Sequence, residues 1–93
     1  MLQIEKKHLE IVLQILHKYP YSFYAYGSRV KGNAWKFSDL DLCYQEDIPI
    51  SITRKIKEEF EDSNLPFHVE IVNWYRMSPE FQDLIKKDLI KII

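Results

Sequence analysis

Several residue types are scarce in this sequence, and each shortage excludes a class of protein. A single cysteine, Cys43, cannot form an internal disulfide framework. Two glycines are too few for a collagen-like or linker-like chain. The 13 lysines and arginines are balanced by 14 aspartates and glutamates, and the net charge is −1. No positive excess is therefore present to drive general binding to nucleic acids or to anionic membranes.

Long apolar runs are also missing. No segment approaches the roughly 20 consecutive apolar residues that span a bilayer. Charged residues near the beginning of the chain, Glu5, Lys6, Lys7 and Glu10, argue against a secretory signal. The single cysteine fits a reducing compartment. We therefore expect a cytoplasmic protein that does not enter a membrane.

The length and composition are typical of one folded domain. The 93 residues are 46% hydrophobic and 29% charged, which is ordinary globular usage. Two separate cores would each need about 50 residues. We expect a single domain over residues 1–93 with little room for a separate acceptor-binding domain, so that a large acceptor would bind from outside.

The spacing of apolar residues predicts alternating helices and strands. Helices are predicted from residue 4 to near Tyr19-Pro20 and over residues 53–63 and 79–89, and strands over residues 22–26, 39–44 and 67–72. The segment around Pro49 is predicted to be a loop, and the connection from Gly27 to Asp39 has room only for a short helix. The prediction is an α/β (α+β) fold with a small mixed sheet of three or more strands flanked by helices.

The last predicted helix has a clear start signal. Ser78 is suited to the cap position and Pro79 to the first helical position. The helix is predicted to run to about Leu89. Four of its apolar residues are expected to face inward: Phe81, Leu84, Ile85 and Leu89.

Two aspartates in the second predicted strand indicate a cation site. Asp39 and Asp41 are two residues apart, so their carboxylates lie on the same face of a strand. Hard divalent ions such as Mg²⁺ are commonly held by one or two carboxylates together with substrate phosphates. Taken alone, the pair is more often the solvated face of a half-buried strand.

The turn after the first strand is suited to a phosphate group. Gly27 ends an aromatic strand and Ser28 follows at once, which lets the backbone approach a ligand closely. Arg29 and Lys31 add positive charge nearby. The alternative is an ordinary glycine-serine turn with two exposed bases. A metal-bound nucleotide accounts for this turn and the following acid pair together.

A third acid, Glu70, alternates with Val69 and Ile71 and so lies on the opposite face of its strand. If that strand pairs beside residues 39–44, Glu70 joins the acid cluster; otherwise it is a plain exposed acid. His68 shares its face and is either near the site or structural. Cys43 is predicted to be a core residue opposite the two aspartates.

These residues together resemble a known signature. Gly27-Ser28, ten intervening residues and Asp39-Leu40-Asp41 resemble the motif of the DNA polymerase beta-type nucleotidyltransferase superfamily. The fuller pattern, Gly-Ser-Arg-Val-Lys-Gly and then Ser-Asp-Leu-Asp-Leu, resembles its minimal nucleotidyltransferase (MNT) branch. The leading helix, the third strand and the terminal helix match in order, so the resemblance covers nearly the whole chain.

The resemblance implies a fold, a reaction and a set of site residues. Such domains bind a nucleoside triphosphate, usually ATP, with Mg²⁺, and two ions are expected. They transfer the nucleoside monophosphate to an acceptor hydroxyl and release pyrophosphate. By position, Asp39, Asp41 and Glu70 are the catalytic, metal-binding acids. Gly27, Ser28 and Arg29 contact the nucleotide phosphates.

The resemblance also implies a partner. The minimal branch is commonly encoded beside a HEPN-domain protein, an RNase toxin, and acts as its antitoxin by adenylylating a tyrosine of the toxin. We expect an assembly with such a partner and no direct binding of nucleic acid. The sequence departs from the family at Glu70, where aspartate is usual, and the longer side chain moves the carboxylate outward.

Two alternatives remain open at this stage. One is a non-catalytic antitoxin that neutralises its partner by binding alone, motivated by Glu70. The other is a nucleotidyltransferase for small molecules, of the antibiotic-modifying kind. Such enzymes normally carry a further helical domain for the acceptor, which makes this alternative the least favoured. Two residues have no determined role at this stage. Trp35, in the loop before Ser38, either stacks on a base or covers the sheet edge. The role of Lys31 is also open.

Overall fold

The chain alternates helices and strands, and the computed structural model, which describes residues 2–93, assembles the strands into one sheet. The elements are α1 (Lys6–Leu16), β1 (Tyr24–Tyr26), α2 (Ser28–Lys31), β2 (Leu40–Tyr44), α3 (Ile50–Glu61), β3 (Val69–Asn73), α4 (Pro79–Ile85) and β4 (Ile90–Lys91). Short 3₁₀ turns follow β3 at Trp74–Arg76 and α4 at Lys86–Asp88.

The sheet is mixed, as predicted. Its strand order is β3-β2-β1-β4, with β1 antiparallel to both β2 and β4 and with β2 parallel to β3. The parallel pair is joined through α3, because parallel strands need a crossover of a dozen or more residues. The connection from β1 to β2 contains one four-residue helix, α2. This agrees with the prediction that the segment has room only for a short helix.

The main hydrophobic core lies between one face of the sheet and the helices α1 and α3. Strand alternation sends Ala25, Leu42 and Ile71 to this face, and the two helices contribute apolar stripes. The buried helical residues are Val12, Ile15 and Leu16 of α1 and Ile56 and Phe60 of α3. This core fixes which strand residues point to the opposite face.

The opposite face is covered only in part, by the C-terminal segment. Tyr26 and Cys43 of the sheet pack with Ile85 of α4. Cys43 is buried as predicted, but it lies on the same face as Asp41, not opposite it, because residues two apart in a strand share a face. Near the start of β2 and β3, this face carries the polar side chains of Asp41 and Glu70.

Helix α3 begins earlier than the sequence predicted. The segment around Pro49 was expected to be a loop as far as residue 52, whereas the helix starts at Ile50 with Pro49 as its N-cap. A proline is tolerated there because the first-turn N–H groups have no intrahelical acceptor. Ile48, just before it, is buried in the main core.

The C-terminal segment differs most from prediction. Ser78 caps α4 by accepting a hydrogen bond from Phe81 N at 3.2 Å, as expected, but the helix ends at Ile85 and not near Leu89. Ile85 is buried and Leu89 packs beside it, as expected, and Phe81 packs edge-to-face on Tyr26 although it is 39% exposed. Leu84 is exposed, so the expectation that it faces inward was wrong.

The cause of the early helix end is a fourth strand. Residues Ile90 and Lys91 pair with Ala25 and Tyr24 of β1, and Ile92 N donates to Phe23 O at 2.9 Å. This pairing satisfies backbone groups at the edge of β1 that would otherwise be free. A long-range partner therefore overrides the helical spacing of the tail.

Across residues 2–93, the longest helices are too short and too polar to pass through a bilayer.

Candidate active site

Asp41 is the central residue of the polar end of the sheet. Strand register places it directly beside Tyr26 of β1 on one side and Glu70 of β3 on the other. Because paired residues in neighbouring strands point to the same face, all three side chains project together. The structure thus brings Glu70 into the acid cluster, through the pairing of β3 with β2 that the sequence left open.

Asp39 completes the group from a different position. The sequence predicted it as a strand residue, but β2 begins at Leu40 and Asp39 lies in the exposed segment just before it. It is nevertheless close enough to raise the pKa of Asp41. Three acidic side chains therefore surround one end of β2.

The electrostatics of the cluster favour a cation. Burial raises the pKa of Asp41 above its ordinary value, and the negative charges of Asp39 and Glu70 raise it further, with His68 acting in the opposite direction. Burial and then the charge of Asp41 raise the pKa of Tyr26 to about 12. A cation bound here would offset the repulsion between the carboxylates.

The donor set fits Mg²⁺ held jointly with a nucleotide and not by protein alone. Among residues 2–93, no three His, Cys, Asp or Glu side chains are gathered closely enough to hold an ion. Asp39 and Asp41 offer hard carboxylate oxygens, and Mg²⁺ is typically bound by one or two such groups plus phosphates. Glu70 contacts His68, with 2.8 Å between its Oε2 and the ring Nε2.

Gly27 lies against Asp41. Its backbone has φ +84° and ψ −155°, a region that is essentially restricted to glycine. A Cβ added here would lie 2.6 Å from Asp41 Oδ2, well inside van der Waals contact. The absence of a side chain therefore lets the backbone of the turn pack directly against the Asp41 carboxylate.

Ser28 starts α2 directly after this glycine. The N–H groups of Val30 and Lys31 donate to Gly27 O. The Ser28 side chain is half-buried at this turn. Gly27 thus borders the acid cluster as the sequence anticipated, and Ser28 follows it in the chain.

Arg29 is placed differently from the other site residues named by the sequence. It is only 4% exposed, and its guanidinium donates to backbone carbonyls: Nε and Nη2 to Ser38 O at 3.0 and 2.8 Å, Nη1 to Gln3 O at 2.9 Å and Nη2 to Lys36 O at 3.1 Å. The group also lies over the Phe67 ring, 4.1 Å from its centroid.

These contacts give Arg29 a structural task. Its donors are directed at carbonyls, and one of these belongs to Ser38, the residue before Asp39. Burial lowers the pKa of Arg29, while the neighbouring Asp39 raises it. Arg29 therefore anchors the segment that carries Asp39, which neither the turn motif nor the alternative of an exposed base anticipated.

Replacing Arg29 by lysine is expected to destabilise the chain by about 2 kcal/mol, since hydrogen bonds to charged groups contribute ~1.5–3 kcal/mol and an ammonium group cannot reproduce a planar fork. Urea unfolding of the two proteins measures the difference. Lys36→Arg, at an exposed position in the same loop, is the matched control. Equal midpoints for Arg29→Lys and the parent chain would contradict the anchoring role.

Two residues whose roles the sequence left open have definite neighbours. Lys31 Nζ lies 3.7 Å from Asp88 Oδ2 and so joins α2 to the C-terminal segment. Trp35 is 65% exposed and packs edge-to-face on Phe37, with 5.2 Å between ring centroids. Tyr26 is the neighbour of Asp41 that sequence reasoning missed, and strand register was the only signal that could have revealed it.

Comparison with known proteins identifies the family. The model of the polymerase beta nucleotidyltransferase family matches residues 9–93. The chain belongs to this family. The candidate site of this nucleotidyltransferase therefore lies where the family motif, the acid pair and the glycine-serine turn meet.

Particular relatives agree with this assignment. This nucleotidyltransferase is 38% identical over 95 aligned positions to the probable protein adenylyltransferase MntA of Haemophilus influenzae, covering 98% of the present chain and 83% of that protein. Its fold resembles a crystal structure of a toxin-antitoxin with AMP-PNP, with a TM-score of 0.68 and 16% sequence identity. The match covers 91% of the present chain and 72% of the other. A Sulfolobus solfataricus protein assigned as a nucleotidyltransferase is more distant in fold, with a TM-score of 0.50 and 20% sequence identity. That match covers 92% of the present chain and 76% of the other.

These findings confirm three of the sequence predictions. The chain has the mixed α/β fold of the polymerase beta-type superfamily. It resembles the minimal branch of that superfamily, and it belongs to a family of nucleotidyltransferase enzymes.

Proposed function

We propose that this chain is a Mg²⁺-dependent antitoxin that transfers AMP from ATP to a hydroxyl of a toxin partner, a tyrosine of a HEPN-domain protein. The observation that carries the proposal is the strand register, which sets Asp41 beside Glu70 with Gly27 against its carboxylate. A nucleotide and a cation together suit such a cluster better than either alone.

Each site residue has a task in the proposed reaction. Asp39 and Asp41 would hold the Mg²⁺ ion. Gly27 packs against the Asp41 carboxylate, so that the glycine-serine turn borders the place where the phosphates would bind. Bound Mg²⁺ supplies charge neutralisation and polarises the phosphoryl oxygens. Arg29 contributes indirectly, by anchoring the segment before Asp39.

The proposed transfer balances as a single displacement. The acceptor oxygen forms a bond to the α-phosphorus of ATP, and the bond from that phosphorus to the oxygen bridging to the β-phosphate breaks. Pyrophosphate leaves, and the hydroxyl proton passes to the Glu70 carboxylate. Glu70 is half-exposed, which gives an acceptor on another protein access to it.

The named relatives support the acceptor. The Haemophilus influenzae relative is a probable protein adenylyltransferase, which supports AMP transfer to a protein. The structural neighbour is a toxin-antitoxin with the ATP analogue AMP-PNP, which supports a toxin as that protein and ATP as the donor. The HEPN identity of the toxin and the tyrosine acceptor come from the family resemblance of the sequence.

The test is covalent labelling. The purified chain, Mg²⁺ and ATP labelled on the α-phosphate are incubated with the protein encoded beside it, and label on that protein is measured. We expect label to appear, to require Mg²⁺ and to fall to background in Asp39→Ala. Asp47→Ala, another exposed acid next to β2, is the matched control and should transfer normally. Transfer unchanged in Asp39→Ala would refute the assignment.

A second candidate is an antitoxin that acts by binding alone. Its specific support is Glu70, which is longer than the usual aspartate and already contacts His68 at 2.8 Å. The variant Asp39→Ala combined with Asp41→Ala separates the two candidates. If this folded variant still binds the toxin and still protects cells, binding suffices. If it binds without protecting, AMP transfer is required.

A further inference from the structure

We infer that His68 is the positioning residue of the third carboxylate, holding one oxygen of Glu70 so that the other points into the acid cluster. This inference rests on the proposed function and deepens it. It assigns a role to a side chain that the family motif does not include.

The contact geometry supports this role. With the ring Nε2 protonated, His68 donates to Glu70 Oε2 across 2.8 Å, a normal hydrogen-bond distance. The two residues are two apart at the start of β3 and therefore share the face on which Asp41 lies. His68 is near enough to Asp41 to affect its electrostatics. The imidazole thus stands beside the cluster and is hydrogen-bonded to Glu70.

The extra methylene of Glu70 explains why its carboxylate needs a second side chain to fix its position. A glutamate has one more rotatable bond than an aspartate, so a half-exposed glutamate loses more side-chain entropy when it is fixed. Glu70 has no other hydrogen-bonding side chain among residues 2–93. A hydrogen bond to His68 leaves Oε1 as the unoccupied oxygen of the carboxylate.

The surroundings leave His68 no evident structural alternative. Both side chains are about half exposed, and they lie on the rim of an open cavity of about 350 Å³ beside β3. The main core lies on the other face of the sheet, under Val69 and Ile71. Removal of the imidazole is therefore expected to leave the fold intact and to release Glu70.

The first experiment is a kinetic comparison of His68→Ala with the parent chain in the labelling assay. We expect kcat to fall about 10- to 100-fold, the usual cost of losing a group that orients a ligand, with the KM for ATP within about twofold. His17→Ala removes an exposed histidine from the end of α1 and should leave both parameters unchanged.

Conservative variants separate positioning from general disturbance. The glutamine amide nitrogen occupies nearly the place of Nε2, whereas that of asparagine is too short to do so. His68→Gln should therefore recover most of kcat, and His68→Asn should not. In a Glu70→Asp background, where the carboxylate no longer reaches the ring, His68→Ala should cost less than twofold. Equal losses in both backgrounds would overturn the inference.

A readout without ATP keeps the inference separate from the proposed function. The ¹³C resonance of the Glu70 carboxylate should shift in His68→Ala and return in His68→Gln. An unmoved resonance would refute the positioning contact even if transfer were observed. A moved resonance in a chain that labels no protein would instead locate the failure in the proposed function, because the contact itself would stand.

Discussion

Replacing Asp41 by asparagine is expected to abolish AMP transfer while leaving the chain at least as stable as before. Asp41 is the residue that Glu70 and Tyr26 flank, and it is half-buried, whereas Asp39 is exposed. Loss of one preorganised electrostatic contact at a reacting centre commonly costs about 100- to 1,000-fold in rate. Asparagine keeps the size of the side chain and removes the charge.

The stability expectation follows from the raised pKa of Asp41. Burial and the charges of Asp39 and Glu70 make the ionised form unfavourable in the folded chain, so its pKa is higher there than in the unfolded chain. Such a group stabilises the fold fully at pH values below its unfolded pKa, and this contribution is lost as the pH rises through the folded value. At neutral pH the folded chain therefore carries an unfavourable charge, which asparagine removes.

Urea unfolding at several pH values, with labelling at pH 7, measures both effects. The parent chain should lose stability relative to Asp41→Asn as the pH rises above the ordinary aspartate range. Mg²⁺ with a non-hydrolysable ATP analogue should raise the melting temperature of the parent chain more than that of the variant. A large loss of stability in Asp41→Asn at neutral pH would contradict this expectation, because it would mean that other groups in the fold compensate the negative charge of Asp41.

Gly27→Ala is the second change with a large expected effect, on both stability and transfer. The new Cβ would lie 2.6 Å from Asp41 Oδ2, so the carboxylate or the turn must move. The backbone conformation at Gly27 also disfavours any side chain, which costs about 1–3 kcal/mol by itself. Displacement of Asp41 is expected to reduce transfer nearly as much as its replacement does.

Gly32→Ala is a close control because Gly32 has the same φ of +84° but no atom within 4 Å of an added Cβ. It should lose about 1–2 kcal/mol from left-handed strain and keep normal transfer. Gly27→Ala should be the more destabilised of the two and should lose transfer. If both variants transferred AMP equally well, the close approach of Gly27 to Asp41 would have no role in the reaction.

A double variant isolates the steric contact at Gly27. Asp41→Ala removes Oδ2 and Cγ, the two atoms within 3.4 Å of the added Cβ, and leaves only an ordinary contact with Cβ at 3.6 Å. In that background Gly27→Ala should destabilise the chain by less than in the parent, down to the backbone strain alone. An unchanged cost would assign the whole effect to backbone conformation and none to Asp41.

The predictable parts of the fold were those set by local pattern. The apolar spacing of α1 and the Ser78-Pro79 start of α4 could be read directly, because side-chain periodicity and capping act within a few residues. The strand β4 could not, because its pairing with β1 joins residues far apart in sequence. The same distant pairing ended α4 early and exposed Leu84.

The site divides in the same way. By itself, the sequence determined the family, the acid pair Asp39 and Asp41, and the glycine-serine turn, because motif spacing is a local property. Only the tertiary structure decided that Glu70 stands beside Asp41. The register between β2 and β3 depends on how α3, which connects them, packs against β3. The tertiary structure also decided that Arg29 is buried under carbonyls contributed by separate segments, a role that no local pattern specifies.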